Sequence, residues 1–365
     1  MKIFFYIPSL MAGGAEKQCS LIAAALRTNF GHDVTVVIDR LHAVKDSNRE
    51  ILDRAGVSLM GLPSGRLRAF CKLVKMFRAD RSAVVFSFLT RPNFVGGLAA
   101  RLAGLRSFYG GIRCTWFPWW KYALEILSNR FLSKGTIMNS HRAYELFAGH
   151  GLRKDKCRVI SNVFNQPPLV LQERATDCPV IVTVGRFTAE KDYYTWLRVI
   201  RRVLESGIRV RASVEGYGRG EGLFRRWVSE LGLEDVVSIY PGDFSVNELL
   251  GMGDVYLSTS TSEGVSNAIL EAMNAGLPVV ATDVGDNAIM VENGFSGFLA
   301  PVGAVDALAA QMIELLNDPT RRKTFGERAR KILREKYSED RVASLYEKLI
   351  REDMSMGLGG ESCCA

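Results

Sequence analysis

Residues 254–282 read DVYLSTSTSEGVSNAILEAMNAGLPVVAT. The run opens on a short apolar stretch (254–259) and closes on another (278–282). Between them lies a helix-forming segment, 267–275. Ser266 has N-cap chemistry, Gly276 stands where a C′ residue belongs, and Pro278 stops the helix. Strand, helix and strand with turn residues at both junctions make a βαβ unit, whose two strands run parallel. Earlier in the same half, VIVTVG at 180–185 is nearly all apolar, as expected of a strand buried on both faces.

The alternation extends in both directions. The back half predicts strands at 180–185, 209–215, 236–240, 254–259 and 278–282, with helices at 192–206, 221–231, 245–251 and 267–275. Three more helices follow, at 304–317, 320–336 and 338–352. The front half predicts strands at 2–8, 33–38, 57–62, 83–88, 106–110 and 136–139, and helices at 15–29, 66–81, 93–104 and 122–133. The segment 166–179 breaks the pattern with Pro167, Pro168 and Pro179. At roughly 150 residues per domain, 365 residues hold two domains. The expected organisation is an α/β domain at 1–165, a linker at 166–179, a second α/β domain at 180–337, a helix at 338–352 packing back toward the first domain, and a flexible tail at 353–365. Each α/β domain is a doubly wound parallel sheet with helices on both faces. Ligands of such sheets bind beyond the carboxyl ends of the strands.

With 47% hydrophobic and 24% charged residues the composition is that of a globular protein, not a disordered or fibrous chain. No stretch reaches the ~18 apolar residues of a membrane span, and residues 1–8 do not make a signal peptide. A cytoplasmic location is expected. The seven cysteines are odd in number, widely spaced and without a C-x-x-C pair, which argues against a disulfide framework or a zinc site. Cys363 and Cys364 do not form a prenylation box. Charge is unevenly shared. Residues 1–175 carry 26 basic and 11 acidic side chains, the remainder 21 and 28. A basic front half attracts a polyphosphate, an anionic lipid or a nucleic acid, although no nucleic-acid motif is present. In 66–81, Leu67, Phe70, Val74 and Phe77 recur at helical spacing among cations, as in a helix lying on a membrane. Residues 116–122 (WFPWWKY) hold three of the five tryptophans, a residue favoured at bilayer headgroups and against sugars. Contact with an anionic membrane surface is expected of one or both segments.

Four loops offer chemistry. After the first strand come Gly13 and Gly14, leading into a helix whose N-terminus favours an anion; the G-x-G-x-x-G dinucleotide fingerprint is absent. Arg186 and Lys191 follow the strand at 180–185, a planar fork and a point charge suited to a diphosphate. Glu215 and Gly216 close the next strand. Glu263 precedes the helix at 267–275, and Glu271 leans back along it toward its N-terminus. The amides of Gly264, Val265, Ser266 and Asn267, at the start of that helix, lie between them. A carboxylate repels phosphate, so both glutamates suit hydroxyl partners. Cations and amides for a diphosphate beside carboxylates for ribose and sugar hydroxyls describe a sugar-nucleotide site.

On these residues the chain resembles the GT-B retaining glycosyltransferases of family 4, also called group 1. The E-x7-E element from Glu263 to Glu271, VGRF followed by EKD, the EGYG turn and the early GGAE carry the resemblance. It implies two Rossmann-like domains facing across a cleft, the first for the acceptor and the second for the donor. It assigns Arg186 and Lys191 to the donor diphosphate, Glu271 to the ribose, Glu263 to the transferred sugar, and Glu215, Gly216 and the 264–267 amides to the donor. Gly14 becomes the loop glycine beside the phosphate. No metal and no cofactor are expected. Many members carry a histidine in the loop after the fourth strand. Here that stretch is VFSFLTRPN, 85–93, without one, leaving Arg91, Asn93 and His141 as expected sugar or acceptor contacts. The implied activity is transfer of a hexose or N-acetylhexosamine from a UDP-sugar to a lipid-linked saccharide in cell-envelope polysaccharide synthesis, at the inner face of the plasma membrane. GDP-mannose is the alternative donor, and a sugar-nucleotide epimerase on the same fold the alternative class. A retaining glycosidase fits poorly, because Glu271 faces a nucleotide rather than a glycosidic bond.

Overall fold

The computed structural model describes residues 1–11, 13–113, 118–169 and 178–358. Cys114, Trp116, Phe117, linker residues 170–177 and the tail from 359, with Cys363 and Cys364, lie outside the described residues. The chain divides into two compact units, one made of Met1–Asn165 with Tyr337–Ala365, the other of Gln166–Lys336.

The first unit is built on seven parallel strands: β1 (Lys2–Ile7), β2 (Asp33–Ile38), β3 (Ser58–Gly61), β4 (Val84–Ser87), β5 (Ser107–Ile112), β6 (Gly135–Met138) and β7 (Cys157–Val159). Their order is β3-β2-β1-β4-β5-β6-β7. Phe5 sits between Val36 and Phe86 in register. Side chains alternate along a strand, so Ile3, Phe5 and Ile7 enter one core while Phe4 and Tyr6 enter another on the opposite face. The helices are α1 (Gly14–Phe30), α2 (Asp46–Ala55), α3 (Arg66–Ala79), α4 (Thr90–Ala103), α5 (Trp119–Leu127) and α6 (His141–Gly149). β7, α2 and α6 exceed the sequence reading. So does the early start of α4, whose Pro92 is tolerated because first-turn N–H groups lack helical partners.

The basic helix α3 forms as expected, but its apolar stripe does not meet a bilayer. Leu73 and Phe77 are buried against α4 and the sheet, with Phe70 and Val74 packed beside them; Leu67 stays 74% exposed. A single amphipathic pattern serves either a core or a membrane. Here the sheet takes it.

The second unit has six parallel strands: β8 (Val180–Val184), β9 (Arg211–Gly216), β10 (Val237–Pro241), β11 (Val255–Ser258), β12 (Val279–Thr282) and β13 (Gly297–Ala300), in the order β10-β9-β8-β11-β12-β13. Its helices are α7 (Tyr193–Glu205), α8 (Glu221–Glu230), α9 (Val246–Gly251), α10 (Asn267–Ala275), α11 (Asn287–Met290), α12 (Val305–Asn317) and α13 (Pro319–Tyr337). Strand β13 was not anticipated. It begins on Gly297 because a Cβ there would lie 2.2 Å from the Val279 carbonyl oxygen.

In both sheets the winding reverses between the first and fourth strands, β1/β4 and β8/β11. Such switch points open crevices at the carboxyl ends of strands.

The last helix, α14 (Glu339–Leu358), belongs to the first unit. Val342, Tyr346 and Ile350 are buried in the β1 core. His32 Nε2 lies 2.6 Å from Glu347, and Arg113 donates to the Tyr346 hydroxyl at 2.8 Å. Lys134 pairs with buried Asp353.

Candidate functional site

Three strand-end loops of the second unit are tied together. Gly185 N–H donates to the Glu215 carbonyl at 3.0 Å, and Phe187 N–H to the Tyr217 carbonyl at 2.8 Å. Gly216 is required at that contact, since a Cβ would stand 2.7 Å from the Gly185 oxygen and 2.8 Å from the Phe187 ring. The loop after β11 joins through side chains. Thr259 Oγ1 donates to the carbonyls of Lys191 (3.1 Å) and Asp192 (2.9 Å), and Thr261 N–H to Glu190 at 2.8 Å. Asp192 adopts a left-handed conformation and accepts from Thr195 N–H, capping α7.

These ties bring Lys191 to Glu263. Nζ lies 2.6 Å from Oε1, with side chains 20% and 14% exposed. Ser260 Oγ donates to the same oxygen at 2.9 Å. An ammonium has three donors, so the pair aims Lys191 and keeps capacity for a ligand oxygen. Arg186 lies exposed on the same loop, 3.5 Å from Glu190. Gly285, at φ +58, underlies the Glu263 peptide: a Cβ there would come within 2.3 Å of the Glu263 carbonyl oxygen. Asp286 N–H donates to Gly264 O at 3.0 Å. Two buried phenols stand behind the site. Burial drives the Tyr256 hydroxyl pKa up, and the nearby charges of Glu263 and Glu271 add to it. Tyr193 is raised by burial and then by Tyr256, Glu215 and Glu263. Glu263 thus acts on both tyrosines, Glu215 on Tyr193 and Glu271 on Tyr256.

Ser266 is the N-cap residue of α10, but its hydroxyl makes no cap hydrogen bond. This corrects half of the sequence reading: the position holds, the side-chain bond does not. Gly276 takes the left-handed C-terminal position at φ +74.

In the first unit Gly13 precedes α1 in extended conformation and Gly14 opens the helix. Glu16 folds its carboxylate over Gly13, where an added Cβ would displace it. Arg91 sits in the first turn of α4, its Nη1 2.5 Å from Asp39 Oδ2, and Asp39 also accepts from the Tyr6 hydroxyl at 3.1 Å. Asn93 is not an acceptor contact. It is 1% exposed, and its amide bonds Gly111 N–H and C=O, Ser87 and Glu125. His141 is the exposed first residue of α6, which Ser140 caps. The sequence reading missed two groups. One is buried Glu125, whose carboxyl burial pushes up to about 7. The other is a cavity beyond β1, β2 and β3 that Arg40 and His42 line; an arginine and a histidine directly after a strand were its only signal. Among the described residues no three His, Cys, Asp or Glu side chains converge as metal ligands.

Comparison with known proteins gives a model for each unit. Residues 12–165 match Glycosyltransferase Family 4, and residues 172–332 match Glycosyl transferases group 1. The N-acetyl-alpha-D-glucosaminyl L-malate synthase of Bacillus anthracis is 35% identical over 122 residues, 33% of this chain and 32% of that protein. The N-acetylgalactosamine-N,N'-diacetylbacillosaminyl-diphospho-undecaprenol 4-alpha-N-acetylgalactosaminyltransferase of Campylobacter jejuni is 23% identical over 357 residues, 90% of this chain and 94% of that one. The chain thus spans about a third of the first relative's length and nearly all of the second's. Among solved structures, Anabaena Alr3699/HepE in complex with UDP and glucose superposes with TM-score 0.83 at 19% identity, covering 96% and 99% of the two chains. With a model matching each unit and this fold shared over nearly the whole length, the chain belongs to the group 1, family 4 glycosyltransferases of GT-B fold.

Proposed function

We propose that the chain is a retaining glycosyltransferase that moves a hexose or N-acetylhexosamine from a UDP-sugar to a lipid-linked saccharide acceptor. The Lys191–Glu263 pair beside Arg186, at the end of β8 and ahead of α10, carries the reading. Lys191 and Arg186 neutralise the diphosphate as the bond from the anomeric carbon to its oxygen breaks. Glu271 holds the ribose and Glu263 the hydroxyls of the sugar. The departing phosphate oxygen takes the acceptor proton on the face where the new glycosidic bond forms. Two side-chain cations serve the role that a divalent ion has elsewhere, so activity survives EDTA. The Anabaena structure holds UDP and glucose, which supports a UDP-sugar. The Campylobacter relative's name includes a diphospho-undecaprenol acceptor, which supports a lipid-linked one.

A face of the first unit suits a membrane. Helices α3, α4 and α5 and the π-turn Ser128–Leu132 contain one acid, Glu125, and it is buried. Trp119 (81% exposed), Phe131 and Leu102 lie outward on this surface. Arg78 donates to the Leu102 carbonyl and Arg101 to that of Phe131, so the elements are neighbours. Interfacial aromatics among cations favour anionic headgroups. The deciding experiment is a thermal-shift screen of UDP-, GDP-, ADP- and TDP-sugars, followed by transfer with the stabilising donor in EDTA and NMR of the product anomer. Stabilisation by no nucleotide sugar, or an inverted product, would overturn the proposal.

A further inference from the structure

The cavity beyond β1, β2 and β3 lies wholly in the first unit and measures about 870 Å³. Three arginines line it from three elements: Arg40 from the end of β2, Arg66 opening α3 and Arg91 in α4. Among the described residues Asp39 is the only acid in the lining. It is already committed, bound by Arg91 and by the Tyr6 hydroxyl. Those two bonds quench the one charge that would repel an anion and fix the Arg91 guanidinium against its wall. Among the described residues neither Arg40 nor Arg66 pairs with an acid. His42 adds a further donor, and Ser9 and Met11 bring the wall up to the loop that leads into Gly14.

A lone phosphate would not fill such a volume, which is in the range of pockets for drug-sized ligands. Three guanidiniums around one compensated carboxylate call for an anion all the same, and arginine's planar fork matches phosphate oxygens. We propose that this cavity recognises the acceptor through a phosphate ester or diphosphate on it, with the attached sugar occupying the remaining space. The inference rests on the transferase reading for the word acceptor, but not for the anion. It names the chemistry by which a lipid-linked glycosyl diphosphate or a soluble sugar phosphate would be held.

The test uses the full chain carrying Arg186→Ala and Lys191→Ala, which removes the diphosphate cations of the second unit. Inorganic pyrophosphate is titrated into it by calorimetry. Adding Arg40→Ala with Arg66→Ala weakens binding at least tenfold, on the scale of one or two lost charge-assisted bonds. Both arginines are exposed, so these changes leave the fold intact, which circular dichroism checks. Displacement of pyrophosphate by farnesyl diphosphate but not glucose 1-phosphate assigns a lipid source; the reverse assigns a soluble one. Pyrophosphate that does not bind, binds equally without the arginines, or is displaced by neither compound overturns the proposal. UDP titrated into Arg40→Ala/Arg66→Ala binds as to the unaltered chain. If the unaltered chain does not bind UDP, the donor reading fails, while the pyrophosphate result still decides the cavity.

Discussion

Lys191 and Glu263 share one short hydrogen bond, yet the donor reading gives them different work, and this can be separated. Lys191→Ala lowers affinity for free UDP tenfold or more, the loss of a charge-assisted bond worth ~1.5–3 kcal/mol. Glu271→Ala also weakens free UDP, because the proposed function makes the ribose its partner. Glu263→Ala leaves free UDP nearly intact and lowers the rate of transfer, with Glu263→Gln milder. Calorimetry with UDP beside a transfer assay reads both, and equal loss of UDP affinity in the two glutamate variants would refute the division. Glu125 gives a second residue-level expectation. Burial raises its carboxyl to about 7, against the Asn93 hydrogen bond that lowers it. Between the ordinary carboxyl value and 7 the folded chain keeps a proton that the unfolded chain has released, so stability falls as pH rises through that window. Glu125→Gln removes the titration. Its advantage in melting temperature over the parent grows from pH 5 to pH 8, corresponding to up to ~3 kcal/mol; a constant difference would contradict it. The glutamates and Lys191 were legible in the sequence because each stands within a few residues of a helix start or strand end. Asn93 was not, because the groups that enclose it come from β5 and α5, 18 and 32 residues away.

At the scale of elements, loops are positioned by close backbone approach, and glycine sets the approach. Gly285→Ala places a methyl group into the Glu263 carbonyl at a positive φ. The loop before α10 must then shift, and donor binding falls by more than tenfold with little change in helix content; unchanged UDP affinity would show that the Glu263 loop does not hold the donor. The face proposed for a membrane makes a different demand. Trp119→Ser with Phe131→Ser lowers co-sedimentation with vesicles containing anionic lipid, as does Lys72→Glu with Lys75→Glu, each cation being worth ~1 kcal/mol near such a surface. UDP affinity stays unchanged in both. If the parent chain ignores vesicles, the face has another use. Strand and helix types were readable because the apolar runs and glycine stops are local. The four-residue β13 and the three-residue β7 were not, because neither has a period to detect and both are held by their neighbours' ladders. The stripe of α3 was detected but assigned the wrong partner, since periodicity states that a face is apolar and not what covers it.

At the scale of the whole chain, the first unit is assembled from both ends. Ending the chain at Tyr337 removes Val342, Tyr346 and Ile350, each worth ~1.5–3 kcal/mol when buried. That sum rivals the whole stability of a domain. Such a chain has a first unit cleaved rapidly under limited proteolysis and a protected second unit; equal protection of both would refute the role given to α14. Two parallel sheets were legible because most of the βα repeats declare themselves locally, and the return of α14 was expected without any residue pattern naming its contacts. Those contacts join residues about 310 positions apart, such as His32 with Glu347 and Asn29 with Asp340. During synthesis the usual order, first-made domain first folded, is therefore inverted. The segment made in the middle can close its core while the first-made sheet still waits for its last helix. Until α14 is translated, the part of the β1 core that Val342, Tyr346 and Ile350 fill stays open, and this is the interval in which a chaperone, or aggregation, competes for the nascent chain.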